Sequence, residues 1–265
     1  MKSLILSAVL SLFAAPLAAN PYAENVSVRL LPGWQLPDGA HMAAIEVTLA
    51  DGWKTYWRAP GDAGVPPVFS WAGSDNVRAV QVVWPRPEVF WQNGMRSIGY
   101  SKHLVLPLRI EPGAQGPVHL DGSLQMGICS DICVPLVVDL QDLRLPDSTR
   151  PVPAIAAAMA DRPYSGAEAG VRRVSCSVQP DGRKVRLRTE IEMPALGGTE
   201  VVVVETADPS VWVSETETRR EGPRLIAETE LQAMRGGVLM LDRSGLRLTV
   251  LGGSRAVDIR GCPAG

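Results

Sequence analysis

An all-β architecture, two β-sandwiches in tandem, is what this sequence predicts, and three observations predict it. Apolar and polar residues alternate with period two in many short runs. Turn formers, drawn from 25 glycines and 22 prolines, punctuate those runs at about ten-residue intervals. Strand–helix–strand alternation is missing, which argues against a thioredoxin-type sheet.

Taken in chain order, the first element is Met1-Lys2, an apolar run from Leu4 to Leu17 and then Ala18-Ala19-Asn20. This is the charged, apolar and small-residue order of a secretory signal peptide spanning 1–19. At about 14 residues the run is shorter than the ~20 needed to cross a bilayer. No later stretch is long and apolar enough to span a membrane, so the expected product is exported and not membrane-spanning. Its cysteines would then meet an oxidising compartment.

Half-buried strands follow at Val26–Leu30 and at Ile45, Val47 and Leu49, which alternate with Glu46 and Thr48. Leu104 to Ile110, Val118 to Met126 and Val134 to Leu143 continue the pattern. Pro146-Asp-Ser-Thr-Arg-Pro-Val-Pro153 interrupts it, and Ala154 to Ala160 could form a short helical piece. Strands resume at Val185–Ile191, Val201–Val204, Leu225–Leu231, Val238–Leu241 and Leu246–Leu251. Six of seven tryptophans and all three phenylalanines precede residue 92, while beyond Tyr164 the only aromatic is Trp212. The organisation expected is a first domain over 21–147, a linker over 148–164 and a second domain over 165–262.

Lys plus Arg (26) nearly cancels Asp plus Glu (28), for a net charge of −2. A nucleic-acid binder would need a basic surplus to displace counterions from phosphates, so that class is excluded.

The chemistry concentrates in Cys129-Ser-Asp-Ile-Cys133. On a hairpin or on one helical turn, this spacing brings both Cα atoms within disulfide range, and the β-branched flanks favour the hairpin. So short a loop gains little closure entropy, which makes the bridge a weak staple and a good candidate for cycling between thiol and disulfide. Two other readings stand beside it. One is an inert hairpin bridge. The other is a Cu(I) site, for which Met126, Cys129 and Cys133 offer a soft ligand set. The Cys-Ser-Asp-Ile-Cys string resembles the copper loop of the Sco family, although that family uses a thioredoxin fold and a distant His, and none of His41, His103 and His119 is marked out by its neighbours. Zinc would require a second cysteine pair nearby. Cys176 and Cys262 open and close the second half, where a disulfide would be a domain-spanning structural bridge.

Trp53 and Trp57 would share one strand face as core residues, with Tyr56 among the same core aromatics. Pro60 to Pro67 cannot form a central strand. It is expected to loop near the hairpin, with Asp62 placed to disfavour a thiolate.

Several segments, in this order, carry a family resemblance. They are Gly52-Trp-Lys-Thr-Tyr-Trp57, Pro60-Gly-Asp-Ala-Gly-Val-Pro-Pro67, Trp84-Pro-Arg-Pro87, Ile98-Gly-Tyr100 with Leu104-Val-Leu-Pro107, and Cys129-Ser-Asp-Ile-Cys133-Val-Pro135. Together they resemble the amino-terminal periplasmic domain of the DsbD family of thiol:disulfide interchange proteins, and more closely its ScsB-type relatives. The resemblance implies an immunoglobulin-like domain in the periplasm whose catalytic pair, Cys129 and Cys133, takes electrons from a membrane donor. It would pass them to thioredoxin-fold isomerases or cytochrome c maturation factors, as one component of a protein-disulfide reductase without a cofactor. It also implies an aromatic cap near Phe90-Trp91-Gln-Asn-Gly94, beside Tyr100. Two departures stand out. The family pair has five intervening residues rather than three, and the acidic cap residues are missing, with Glu88 a loose substitute. The copper reading would make the chain a copper-tolerance protein instead.

Overall fold

The structure is a computed structural model that describes residues 21–264, apart from Asn93 and Val238. The segment read as a signal peptide lies outside the described residues. Among those described, no helix is long and apolar enough to cross a membrane.

The first half consists of β1 (Val26–Gln35), β2 (His41–Leu49), β3 (Lys54–Tyr56), β4 (Val68–Ser70), β5 (Val77–Val82), β6 (Glu88–Gln92), β7 (Met95–Ser101), β8 (His103–Pro112), β9 (His119–Cys129) and β10 (Cys133–Arg144). They form two antiparallel sheets, ordered β1-β2-β8-β5 and β10-β9-β3-β7-β6, with β4 also paired to β9. The alternation predicted for β2 is present, since Ile45, Val47 and Leu49 enter the core between the sheets. A bulge interrupts the β1–β2 register between Pro32 and Trp34. Gly33 sits in it because a Cβ there would lie 2.1 Å from the Met42 carbonyl oxygen.

The start of β2 is buried on both faces. Ala43 and Ile45 face the sandwich core, whereas Met42 and Ala44 face outward against Trp34, Val105 and Ile155. Ile155 belongs to α1 (Pro153–Ala160), which begins with a proline where the first helical N–H needs no partner. A helix of eight residues is too short to be stable alone and is held by this docking.

The second half consists of β11 (Tyr164–Ser165), β12 (Arg173–Asp181), β13 (Lys184–Glu192), β14 (Val201–Glu205), β15 (Val211–Val213), β16 (Glu217–Glu221), β17 (Arg224–Ala233), β18 (Arg247–Gly252) and β19 (Arg255–Arg260). One sheet is β11-β19-β18-β14, with β11 parallel to β19, and the other is β12-β13-β17-β15, with β16 on β17. The molecule is thus almost wholly β, with sheets stacked as in immunoglobulin-like sandwiches. Cys176 and Cys262 form a disulfide, Cα–Cα 5.6 Å, inside the second core.

One expected strand is absent. Leu239 to Leu241 is irregular, although Leu239 and Leu241 still pack on the core. Gly236 and Gly237, both at positive φ, precede it, and an Asp242–Ser244 turn follows at once. Turns at both ends leave too few residues to lay down a ladder.

The two halves share a core. Val201 and Val203 of β14, with Leu251 and Ala256, join the first half's hydrophobic cluster. The Arg58 guanidinium clamps this junction. It donates to both Glu205 carboxylate oxygens at 3.0 Å and to Thr249 Oγ1 at 3.1 Å, and it lies over the Trp57 ring, 3.8 Å from its centroid. Nearby, Arg96 Nη1 donates to the Thr216 carbonyl at 3.4 Å.

Candidate redox site

The β9–β10 hairpin closes through Ser130-Asp131-Ile132, where the Ser130 N–H donates to the Ile132 carbonyl at 3.0 Å. Cys129 and Cys133 are directly opposed across the strand pair, with Cα atoms 4.2 Å apart, and are joined by a disulfide. Their environments differ sharply. Cys129 is 1% exposed, whereas Cys133 lies exposed at the hairpin's edge.

On the other side of β9 lies β3, in a register that pairs Lys54 with Cys129 and Thr55 with Ile128. Strand alternation therefore puts Lys54, Tyr56 and both cysteines on the face of the sheet turned away from the core. The Tyr56 hydroxyl donates to Cys129 Sγ at 2.7 Å and stands 3.3 Å from both Cys133 Sγ and the Ala63 carbonyl oxygen. Burial raises the phenol's pKa, so it remains a proton donor.

The Pro60–Pro67 loop covers the tyrosine ring. The Ile98 N–H donates to the Pro60 carbonyl at 2.9 Å, which fixes the loop to β7. A Cβ at Gly64 would lie 2.8 Å from the ring, and one at Gly127, on the other side, 3.3 Å from it. The two glycines leave a slot just wide enough for an aromatic ring.

Lys54 reaches the opposite way, toward β6 and β7. Its ammonium donates to Ser97 Oγ and Gln92 Oε1, both at 3.2 Å, and sits 5.3 Å from the Phe90 ring centroid. Partial burial lowers its pKa from the ordinary lysine value.

Of the expected cap segment's described residues, Phe90 and Gln92 share the disulfide's face, and both meet Lys54. Trp91 corrects the expectation. It occupies the next position on β6, points to the other face, is 60% exposed and lines a groove against the 252–255 turn of the second half. Tyr100 is a second correction, because it is buried in the core and donates its hydroxyl to the Pro85 carbonyl at 2.9 Å. In both cases strand alternation, which sequence proximity hides, decides the face.

Asp62 is exposed on the covering loop and acts on Arg96, whose guanidinium it favours against desolvation. None of its contacts among the described residues is with a cysteine. Met126 lies three positions before Cys129, hence on the opposite face, buried in the core opposite Leu136. The copper set of Met126, Cys129 and Cys133 does not converge on one point. His103 bonds Glu46 and His119 bonds Asp142, away from the pair. Among the described residues, no three His, Cys, Asp or Glu side chains cluster as metal ligands.

Sequence reasoning missed Lys54 and Tyr56 as site residues. The signal that could have found them is parity, since a strand with Trp53 and Trp57 inward must turn positions 54 and 56 outward.

The family model that matches residues 27–145 is described as thiol:disulfide interchange protein DsbD, N-terminal. The chain carries a DsbD amino-terminal family domain. The DsbD-type domain thus runs from β1 to the end of β10 and contains the Cys129–Cys133 disulfide. Across both halves the fold is similar to the N-terminal periplasmic domain of ScsB from Proteus mirabilis, with a TM-score of 0.69 and 24% identity. That similarity covers 93% of this chain and 97% of the other. No curated protein matches in sequence.

Proposed function

We propose that this chain is a periplasmic thiol–disulfide exchange protein that relays electrons through Cys129 and Cys133 to partner proteins. The observation that carries this reading is the asymmetry of the pair, one sulfur buried beneath a phenol donor and the other exposed. The DsbD family match supports thiol–disulfide chemistry, and similarity to the ScsB periplasmic domain supports the location.

In the receiving direction, a donor thiolate attacks the exposed Cys133 Sγ. The disulfide breaks, its electron pair leaves on Cys129 Sγ, and a mixed disulfide joins the donor to Cys133. A second donor thiol then releases Cys133, and both cysteines are left reduced. In the delivering direction, the Cys133 thiolate attacks a partner disulfide and Cys129 resolves the mixed disulfide, so the pair is reoxidised as the partner is reduced. Partners of this chemistry are thioredoxin-fold isomerases or maturation factors, with a membrane protein as the electron source. The organisation that suits the reading is a signal peptide over 1–19, a redox domain over 21–147 and a second sandwich over 165–262 that buttresses it across the 148–164 linker.

Trapping tests the assignment. Cys129→Ser should accumulate a mixed disulfide through Cys133, and Cys133→Ser should accumulate far less. A reduction potential above about −300 mV should accompany exchange. Failure of both variants to trap a partner, together with a lower potential, would leave the bridge a structural one.

A further inference from the structure

Among the described residues, Lys54 is a cation with no ion-pair partner. The polar partners of its ammonium are a serine hydroxyl and a carboxamide oxygen, both neutral. Yet its register partner is Cys129. Directly opposed residues in an antiparallel pair have Cβ atoms about 4.5–5.5 Å apart, well inside the reach of a lysine chain. The oxidised pair carries no charge, and the same pair acquires one when a donor thiolate opens it and Cys129 leaves as an anion. Cys129 is 1% exposed, so water cannot solvate that anion fully.

We infer that Lys54 is a parked counter-ion for the Cys129 thiolate. While the pair is oxidised, the ammonium rests on Ser97, Gln92 and the Phe90 face. When the disulfide opens, it turns to the sulfur that leaves and stabilises the negative charge beside the Tyr56 hydroxyl. Lys54 is therefore a positioning residue that acts on the leaving group, without touching the incoming thiol. Partial desolvation makes its charge more effective than that of a surface lysine. Among the described residues, the other charged or titratable groups on or near this face include Tyr56 on its own strand, Asp62 on the loop that covers Tyr56, Asp131 in the hairpin turn, and Glu88 on β6, which accepts from Ser101 Oγ at 2.9 Å. The inference rests on the exchange reading for its purpose, but its electrostatics can be measured independently.

The test uses the chain with Cys133→Ser, so that Cys129 is the one free thiol while Cys176–Cys262 stays bonded. Thiolate absorbance near 240 nm is followed against pH. Lys54→Met and Lys54→Gln should each raise the titration midpoint by about one pH unit, and Lys54→Arg should restore it. In the chain with both cysteines, Lys54→Met should slow reduction of the pair by dithiothreitol at pH 7 about tenfold. An unchanged midpoint in both neutral variants would overturn the inference, as would an arginine variant that behaves like the neutral ones. Partner trapping by Cys129→Ser reports separately on the exchange reading, so failure of one is distinguishable from failure of the other.

Discussion

Tyr56 and Cys129, 73 residues apart in the chain, meet with the phenol oxygen 2.7 Å from the sulfur. The contact requires β3 to pair with β9, and it brings a neutral donor to the less accessible of two bonded sulfurs. Tyr56→Phe keeps the ring between Gly64 and Gly127 and removes only the proton. Hydrogen bonds to charged groups contribute about 1.5–3 kcal/mol, so reduction of the pair should slow at least about tenfold. Stopped-flow reduction by dithiothreitol, followed by tryptophan fluorescence, measures this. A variant as fast as the parent would remove the phenol from the mechanism.

Arg58 and Glu205 form a two-pronged ion pair across the junction, with side chains 12% and 21% exposed. Removing one partner of a buried pair leaves the other uncompensated, a loss of about 3 kcal/mol. Arg58→Met and Glu205→Gln should each lower the urea midpoint, and the double variant should lose less than the sum. Strict additivity would show that the two groups do not interact in solution.

The two disulfides should contribute unequally to stability. Loop-closure entropy gives about 4–5 kcal/mol for Cys176–Cys262, separated by 86 positions, and about 2 kcal/mol for Cys129–Cys133, separated by 4. Urea unfolding of the two double-serine variants compares them directly. The 176/262 variant should be the less stable one while still exchanging thiols at 129 and 133.

His41 is buried, and desolvation lowers its pKa from the usual imidazole value of 6.5. The unfolded chain therefore binds a proton more readily than the folded one. The stability tied to this group is complete above the unfolded pKa and declines as pH falls from 6.5 through the folded value. Urea midpoints at pH 7.5 and 5.5 should show that decline, and His41→Phe should flatten it. An equal pH slope in the variant would assign the decline to other groups.

Much of the fold is legible in the sequence, because period-two alternation at Ile45, Val47 and Leu49 needs nothing but the strand's own geometry. The double burial of β2 is not legible, because Ile155 of α1 reaches its outer face from within the 148–164 linker. Leu239 to Leu241 shows the converse, an apolar run that makes no strand because turns close on it from both ends. At the site, the cysteine spacing together with its β-branched flanks marks the hairpin. Trp91 and Tyr100, close to Phe90 in sequence and motif, are carried away from it by the alternation of faces.

By itself the sequence determined the β class, the proline-rich break between two halves and the separation of a close cysteine pair from a distant one. These are local properties, written in spacing and periodicity. The tertiary structure decided which sulfur is exposed, that Tyr56 donates to the other, that Lys54 lies opposite it and that Arg58 ties the halves together. The first three depend on the pairing of β3 with β9, where register, which spacing within one segment cannot express, sets which side chains meet, and the fourth on side chains that meet across the junction.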